Sequence, residues 1–155
     1  MSRKRLHRLI ADLKTILLRD LDRLKAELDA FETEESLWQE RAGISNTAGN
    51  LILHICGNLR HFIGSVIGDS GYIRQREDEF NLRGRSKTEL AVEIERTRLE
   101  VQQALDAMPH DLLDKPYPIE VFGKPMSHGH FLIHLSGHLN YHLGQVNYYR
   151  RIQRD

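Results

Sequence analysis

The sequence predicts an all-α protein, a four-helix bundle, and three observations support this. Apolar residues recur at three- and four-residue steps over four long segments, as they do on one face of an α-helix. Residues that cap helices stand where three of these segments begin. The four prolines all fall between the segments. We therefore expect residues 1–155 to form one domain, with a long loop after the second helix and an extended crossover before the fourth.

The first predicted helix spans residues 3–30. Its apolar positions are separated by charged residues, and they are Leu6, Leu9, Ile10, Leu13, Ile16, Leu17, Leu21, Leu24 and Leu28. This spacing places the apolar side chains on one face, where they can pack against the rest of a bundle. Residues 31–46 are polar and include Trp38 and Gly43, which indicates a connection with at most one helical turn.

The second predicted helix begins near Asn46 and Thr47, whose side chains can cap it, and runs to about Ile67. Much of its circumference is apolar, which is typical of the central helix of a bundle. It also contains Gly49, Gly57 and Gly64. Because glycine lowers helix propensity, we expect these positions to serve close packing against neighbouring elements.

The third helix follows a segment that lacks helical periodicity. Residues 68–85 contain three glycines and many charges, so we predict a long loop there. The sequence from Ser86 to Glu89 is a capping box, which predicts a helix through about Met108. Apolar positions are sparse in this helix, so one of its faces should be exposed to solvent.

The fourth helix carries most of the histidines. Residues 110–127 contain three prolines around a short apolar run, so an extended crossover or a small hairpin is predicted. The helix then starts near Ser127 and runs to about Ile152. Two longer connections between four helices are compatible with a bundle, whose core is a usual place for metal ligands on facing helices.

The composition narrows the class of protein. Lys plus Arg and Asp plus Glu both number 22, and a zero net charge argues against a nucleic-acid partner, which usually requires a basic excess. Cys56 is the only cysteine, so no intrachain disulfide can form, as expected in a reducing compartment. No apolar run approaches the ~20 residues of a membrane span, and the charged N-terminus is not a signal peptide. We expect a cytoplasmic protein with no membrane partner.

Four of the nine histidines stand four residues apart, at His130, His134, His138 and His142. On a helix, each step of four residues advances about 40° around the axis and about 6 Å along it. Two neighbouring rings can therefore point at one divalent metal ion. The whole series rises about 18 Å, so it cannot serve a single ion. One adjacent pair is predicted to bind metal, and the other histidines need a different explanation.

A pair on one helix leaves a zinc-like site short of a third ligand, which must come from elsewhere in the chain. The best candidate is His54, midway along the apolar second helix. A buried histidine needs partners for its ring nitrogens, and an ion held by the last helix would provide one. The alternative is a core histidine that is hydrogen-bonded to a side chain or a carbonyl. With the histidine series available opposite His54, we favour the metal ligand.

Other residues near these histidines receive less specific predictions. His61 is expected at the boundary between core and solvent, and Cys56 is expected to be a small buried hydrophobic residue. Gln145 either bonds a ligand imidazole or a neighbouring backbone group, or is an exposed polar side chain. Gly144 is expected at a packing contact. We expect surface positions for His7, His128 and His130, and packing or interface positions for Tyr141, Tyr148 and Tyr149.

Two segments together resemble a known family. The segment NLILHICGNLR (Asn50–Arg60) has a central histidine on an apolar helix, and the segment HLNYHLGQ (His138–Gln145) follows about 80 residues later. The pattern HxxxHxGQ near the C-terminus and the order of the helices resemble the DinB/YfiT-like family of metal-dependent enzymes. The similarity covers nearly the whole chain.

The resemblance implies a four-helix bundle, often a homodimer, with three histidines that bind Zn²⁺ or Ni²⁺ and leave positions open. Carried over residue by residue, the ligands are His54, His138 and His142, and His134 falls outside the set. Family members of known activity are thiol S-transferases that use bacillithiol or mycothiol, related isomerases, and some metal-dependent hydrolases. The resemblance thus implies a small-molecule substrate and a low-molecular-weight thiol as a second cofactor.

Two functions remain open from the sequence. In the first, an enzyme, three neutral imidazoles leave the charge of the ion intact and a position open for a thiol or water. Arginines of residues 68–85 would then be available to hold an anionic thiol. In the second, a stress-associated or scaffold protein, the metal only ties helices together, and His134, Glu40, Asp69 or another carboxylate could close the site. A helical interaction protein without metal would require the histidine spacing to be accidental.

Overall fold

The computed structural model describes the backbone of residues 3–153 and the side chains of residues 8–153, so the predicted surface position of His7 lies outside the described side chains. The predicted all-α fold class is confirmed: within the described range there are helices and two isolated β-bridges but no strand. The helices are α1 (Arg3–Asp29), α2 (Ala48–Leu59), α3 (Arg76–Asn81), α4 (Lys87–Ala107) and α5 (His128–Arg151).

Side-chain caps fix where three of the long helices begin, as the sequence predicts. Thr47 accepts a hydrogen bond from the backbone of Asn50, and Ser127 accepts one from the backbone of His130. Ser86 and Glu89 form the complete capping box at the start of α4. Each cap satisfies backbone groups that would otherwise lack a partner, which is typically worth about 1 kcal/mol.

The apolar face of α1 enters the core, where Leu17, Leu21, Leu24 and Leu28 are fully buried. Burying each leucine contributes about 1.5–3 kcal/mol, so this face holds α1 against α4 and α5. None of the helices in the part of the chain that the structure describes is long and apolar enough to cross a membrane.

Helix α2 is the central helix of the bundle, since all twelve of its residues are buried. The sequence predicts that this α-helix continues to about Ile67. In the structure the α-helix ends at Leu59, because Arg60–Ser65 forms a π-helix. A π segment is rare, occurs often at functional sites, and changes which side chains face a neighbouring helix. The predicted close approach at the glycines of this region is real: a Cβ on Gly49 would lie 2.5 Å from the Trp38 ring.

The predicted loop over residues 68–85 contains the short helix α3, so this prediction was only partly right. Its first turn holds Glu77, Asp78 and Glu79, and negative charge favours a helix N-terminus. The amide of Asn50 on α2 donates hydrogen bonds to the carbonyls of Glu79 and Leu82, at 2.9 and 3.0 Å. A long-range contact therefore holds α3 in place, and no local periodicity could indicate it.

The crossover before α5 doubles back with antiparallel backbone pairing, as a small hairpin does, but it forms no regular strand within the described residues. It holds a 3-10 turn at His110–Asp114 and a single antiparallel bridge between Pro116 and Ser127. The bridge folds the crossover back over the start of α5 and covers His128, which is 6% exposed and donates from Nδ1 to the Lys115 carbonyl at 2.9 Å. The predicted surface position of His128 was wrong for this reason, whereas His130 is exposed as predicted.

Helices α2 and α5 run antiparallel along a shared seam. At one level His54 contacts His138 and His142, with ring centroids 5.0 and 4.9 Å apart. Two turns further along the α2 direction, Phe62 contacts Phe131, which lies towards the N-terminus of α5. The histidines thus lie within the seam, with apolar packing beyond them.

Candidate metal centre

The structure brings together the three histidines that the sequence singles out. Nε2 of His138 lies 3.2 Å from Nε2 of His54 and 3.1 Å from Nε2 of His142. One ligand atom from each ring falls within 4.8 Å of the others. Within the described part of the chain, these residues form the one group of three or more His, Cys, Asp or Glu side chains that are close enough to share a metal ion.

The donor set fits a divalent transition-metal ion. Two nitrogens bound to one ion at about 2.0–2.1 Å, with a tetrahedral angle between them, are about 3.3 Å apart. The observed separations of 3.1 and 3.2 Å are close to that value. Imidazole nitrogen is a good ligand for Zn²⁺ and Ni²⁺ alike, so the donor set permits both ions. The residues therefore can hold a metal ion without a change of helix packing.

A buried carboxylate orients His54. Oε1 of Glu79 lies 3.0 Å from Nδ1 of His54, and both side chains are almost completely buried. Arg74 binds the same carboxylate through two contacts of 2.7 Å. An ionised carboxylate can only accept, so Nδ1 of His54 carries the proton and Nε2 presents its lone pair to the other two rings. Nη2 of Arg74 also lies 3.4 Å from Nδ1, but a protonated Nδ1 is not its acceptor.

Arg74 keeps Glu79 ionised despite its burial. Burial alone would raise the pKa of Glu79, but the hydrogen bonds and charges of Arg74 and His54 together hold this pKa below its ordinary value. Nε and Nη2 of Arg74 thus both donate to Glu79 within the protein. The sequence suggests that arginines of residues 68–85 are available to hold an anionic thiol. Arg74 instead binds Glu79, which in turn orients His54. Arg83 donates to the Phe80 and Leu82 carbonyls and to Glu40.

Gly57 provides the space that Glu79 occupies. A Cβ at position 57 would lie 2.1 Å from Oε2 of Glu79 and 2.7 Å from its Cδ. The carboxylate is held by Arg74 and His54, so it cannot easily move away. This close approach is the physical reason for a glycine in the middle of the central helix, where it otherwise costs stability.

The imidazole of His142 is oriented by Gln145. Nδ1 of His142 lies 2.6 Å from Oε1 of Gln145, so this side chain bonds the imidazole, as the first interpretation predicts, and it is also exposed to solvent, as the second predicts. The amide oxygen is an acceptor, so Nδ1 carries the proton and Nε2 is free to bind. Gly144 makes no packing contact, contrary to the prediction, since a Cβ there would meet nothing within 4 Å. Instead, Gly144, Gln145 and Tyr141 line a cavity of about 620 Å³.

Burial favours the neutral form of His138 and His142. It lowers the pKa of His138 to about 3, and the nearby imidazoles of His142 and His54 further disfavour a proton on His138. The pKa of His142 is also lowered, mainly by burial, although the bond to Gln145 opposes this. A neutral imidazole has a lone pair, and a metal ligand needs one. At neutral pH, protons therefore do not compete with an ion for His138.

Comparison with known proteins agrees with this geometry. Residues 16–146, most of the chain, match the sequence family described as the DinB superfamily. The chain belongs to the DinB superfamily. This confirms the resemblance drawn from the two histidine segments. The crystal structure of a DinB-like protein from Bacillus cereus ATCC 10987 is similar, with a TM-score of 0.68 and 24% identity over 86% of this chain and 85% of that chain. At this level of identity the similarity shows a shared fold. A comparison with curated proteins found no match to this sequence.

Residues considered as a fourth ligand do not join the cluster of this DinB superfamily member. His134 is exposed, and its ring lies against Phe122 and Phe131, with centroids 4.8 and 5.9 Å away. Glu40 pairs with Arg83 on the surface, and Asp69 is exposed. None of these side chains belongs to the three-histidine group in the described residues.

The remaining sequence predictions near the site have mixed outcomes in this DinB superfamily protein. Cys56 is a buried free cysteine, as predicted, and burial raises its pKa to about 12, so it stays a thiol. His61 is half-buried, as predicted for a boundary residue. Tyr149 is buried in the core, whereas Tyr141 and Tyr148 are exposed. Sequence reasoning missed Glu79, because a carboxylate in a charged, aperiodic segment gives no sign that it will be buried.

Proposed function

We propose that this protein is a metal-dependent enzyme that acts on a small molecule through Zn²⁺ or Ni²⁺ held by His54, His138 and His142. Thiol S-transfer with a low-molecular-weight thiol is the favoured reaction, and hydrolysis is the second. A divalent ion bound by three neutral imidazoles keeps its positive charge and an open position, which favours a thiolate over a thiol and makes water more acidic. The observation that carries this proposal is a cluster of three converging Nε2 atoms without a fourth protein ligand among the described residues.

The protein supplies orientation through two residues behind the ligands. Glu79 holds the Nδ1 proton of His54, and Gln145 holds that of His142. Each contact fixes the ring and its tautomer, so that the lone pairs of Nε2 converge. Gln145 also lines a cavity of about 620 Å³ whose lining side chains are uncharged, a size that suits a small molecule. This arrangement is more typical of a reactive site than of a structural one.

The alternative is a non-catalytic metal-binding protein, stress-associated or a scaffold. It is supported by the position of the cluster, because His54 is on α2, its partner Glu79 is on α3, and the other two histidines are on α5. An ion there would tie these elements together. A structural zinc site normally has four protein ligands, however, and this cluster offers three.

Titration of the Co²⁺-substituted protein with a small thiol distinguishes these functions. If a position is open, we expect a thiolate-to-cobalt charge-transfer band to appear without unfolding of the helices. The band should strengthen as pH rises towards the thiol pKa, because the thiolate is the ligand, and weaken as protons compete for it at lower pH. Absorption and circular dichroism spectra would measure both effects.

A cobalt spectrum that does not respond to thiol, azide or pH between about 6 and 9 would indicate a closed site. The transferase proposal would then be wrong, and the structural alternative would stand. The His138→Ala variant is the control, since it should give no cobalt-specific band at all. Protein purified without a histidine tag or metal resin avoids metal that is acquired during preparation.

We also propose that the protein is a cytoplasmic homodimer. Two large side chains on α5, Tyr141 and Tyr148, are 65% and 67% exposed, and Phe122 is 52% exposed, which supports a contact between copies.

Light scattering at micromolar concentration should give about twice the chain mass of 18.0 kDa. Tyr148→Arg would test the surface, because a charge in an apolar interface should favour the monomer. A wild-type mass of one chain would contradict the proposal.

A further inference from the structure

Asn58 is a buried polar residue with a side-chain oxygen that has no partner in the described part of the fold. It lies on α2, is 7% exposed, and its Oδ1 atom is buried without a hydrogen-bond partner among the described residues. Buried amides are almost always hydrogen-bonded, because an unpaired polar atom opposes folding. The residue therefore needs an explanation other than stability.

Helix geometry places Asn58 next to His54 along α2. It follows His54 by four residues, so it is on the same face of α2, about 6 Å further along the axis. Because α5 is antiparallel, residues that precede His138 on α5 are level with Asn58. Side chains on a helix lean towards its N-terminus. Asn58 thus leans towards the level of His54, while His138 and His142 lean towards the level of Asn58.

The amide has the chemistry to bind an anion at that point. The carboxamide can turn over, which exchanges Oδ1 and Nδ2 and presents either an acceptor or two N–H donors. Asn58 carries no charge, so it does not compete with the histidines for the ion. His54 and His142 offer no N–H towards the centre, since their protons are on Nδ1 and point to Glu79 and Gln145. A hydrogen-bond donor near the open position must therefore come from another residue.

We propose that Asn58 is a ligand-binding residue that donates a hydrogen bond from its amide to an anion in the open position of the metal centre. The anion is a thiolate or another small singly charged group. This inference rests on the proposed function, because it requires an ion with an open position. It adds a residue that stabilises the bound anion and not the metal ion itself.

Azide titration of the Co²⁺-substituted protein tests the role of Asn58. We expect Asn58→Leu to retain one cobalt per chain and the helical circular dichroism, but to bind azide at least about tenfold more weakly than wild type. Its thermal stability should be equal or higher, because an unpaired buried amide has been removed. Asn58→Ala, which is smaller, serves as a second variant if the leucine disturbs the packing. The matched control is Asn140→Ala, an asparagine between the two α5 ligands whose amide instead contacts Asp20 on α1.

The azide and cobalt measurements distinguish a failure of the role of Asn58 from a failure of the proposed function. If wild type and Asn58→Leu bind azide equally, the role of Asn58 is wrong while the open metal site stands. If Asn58→Leu and Asn58→Ala both lose cobalt, Asn58 is needed for the ion and not for the anion, and the inference is also wrong. If wild-type cobalt protein does not respond to azide, the proposed function itself fails, and this inference fails with it.

Discussion

Replacing His138 with alanine is expected to reduce bound metal from near one ion per chain to less than about a tenth of that amount. His138 is the central member of the cluster, since its Nε2 lies within 3.2 Å of the corresponding atoms of both other rings. Without it, two imidazoles remain, and two protein ligands are too few to retain a transition-metal ion through purification. Elemental analysis of protein prepared without metal resin measures the change.

The same helix offers a matched control for His138→Ala. His130 is exposed, belongs to the same four-residue series, and lies outside the three-histidine group. His130→Ala should therefore retain the metal content of wild type, and His134→Ala should do so as well. Equal metal in wild type and His138→Ala would refute the assignment of the centre, provided that circular dichroism shows both proteins folded.

Replacing Glu79 with alanine should have the largest effect on stability, a loss of about 3–5 kcal/mol in the free energy of unfolding. The substitution leaves the buried Arg74 guanidinium without its charge partner and Nδ1 of His54 without its acceptor. It should also weaken metal binding about 10- to 100-fold, because the orientation of His54 is no longer fixed. Urea denaturation and competition with a metal chelator measure the two losses separately.

Two further variants separate the roles of Glu79. Glu79→Gln keeps an oxygen that can accept the His54 proton, so it should recover part of the metal affinity while the charge pair with Arg74 is lost. Glu77→Ala is the control, because Glu77 is exposed in the first turn of the same short helix. Stability of Glu79→Ala within about 0.5 kcal/mol of the Glu77→Ala control would contradict the buried carboxylate.

The helices could be predicted because their signals are local. An apolar residue every three or four positions defines the buried face of α1, and Thr47, Ser86 and Ser127 mark the starts of α2, α4 and α5 through contacts within three residues. The i, i+4 spacing of His138 and His142 belongs to the same class of signal. The prediction failed for α3, because its short helix is held by Asn50 from another part of the chain.

Long-range partners could not be predicted in the same way. His128 is buried because the crossover folds back on it, where Nδ1 of His128 bonds the Lys115 carbonyl. The sequence of α5 alone does not predict this contact. Glu79 lies in a charged segment where most side chains are solvated, and only Gly57, 22 positions earlier, leaves room for it. Such a pair becomes visible only when two segments are placed side by side.

For this protein, the sequence by itself determined the helical class, the four long helices and the residue types able to bind a metal. Helix periodicity and capping operate within a few residues, so a single sequence records them. Only the tertiary structure decided which atoms of His54, His138 and His142 converge, and that Glu79, Arg74 and Gln145 orient them. Which side chains meet at the site depends on how helices that are distant in sequence pack together. That packing is determined by contacts throughout the chain, so no short segment of the sequence shows it.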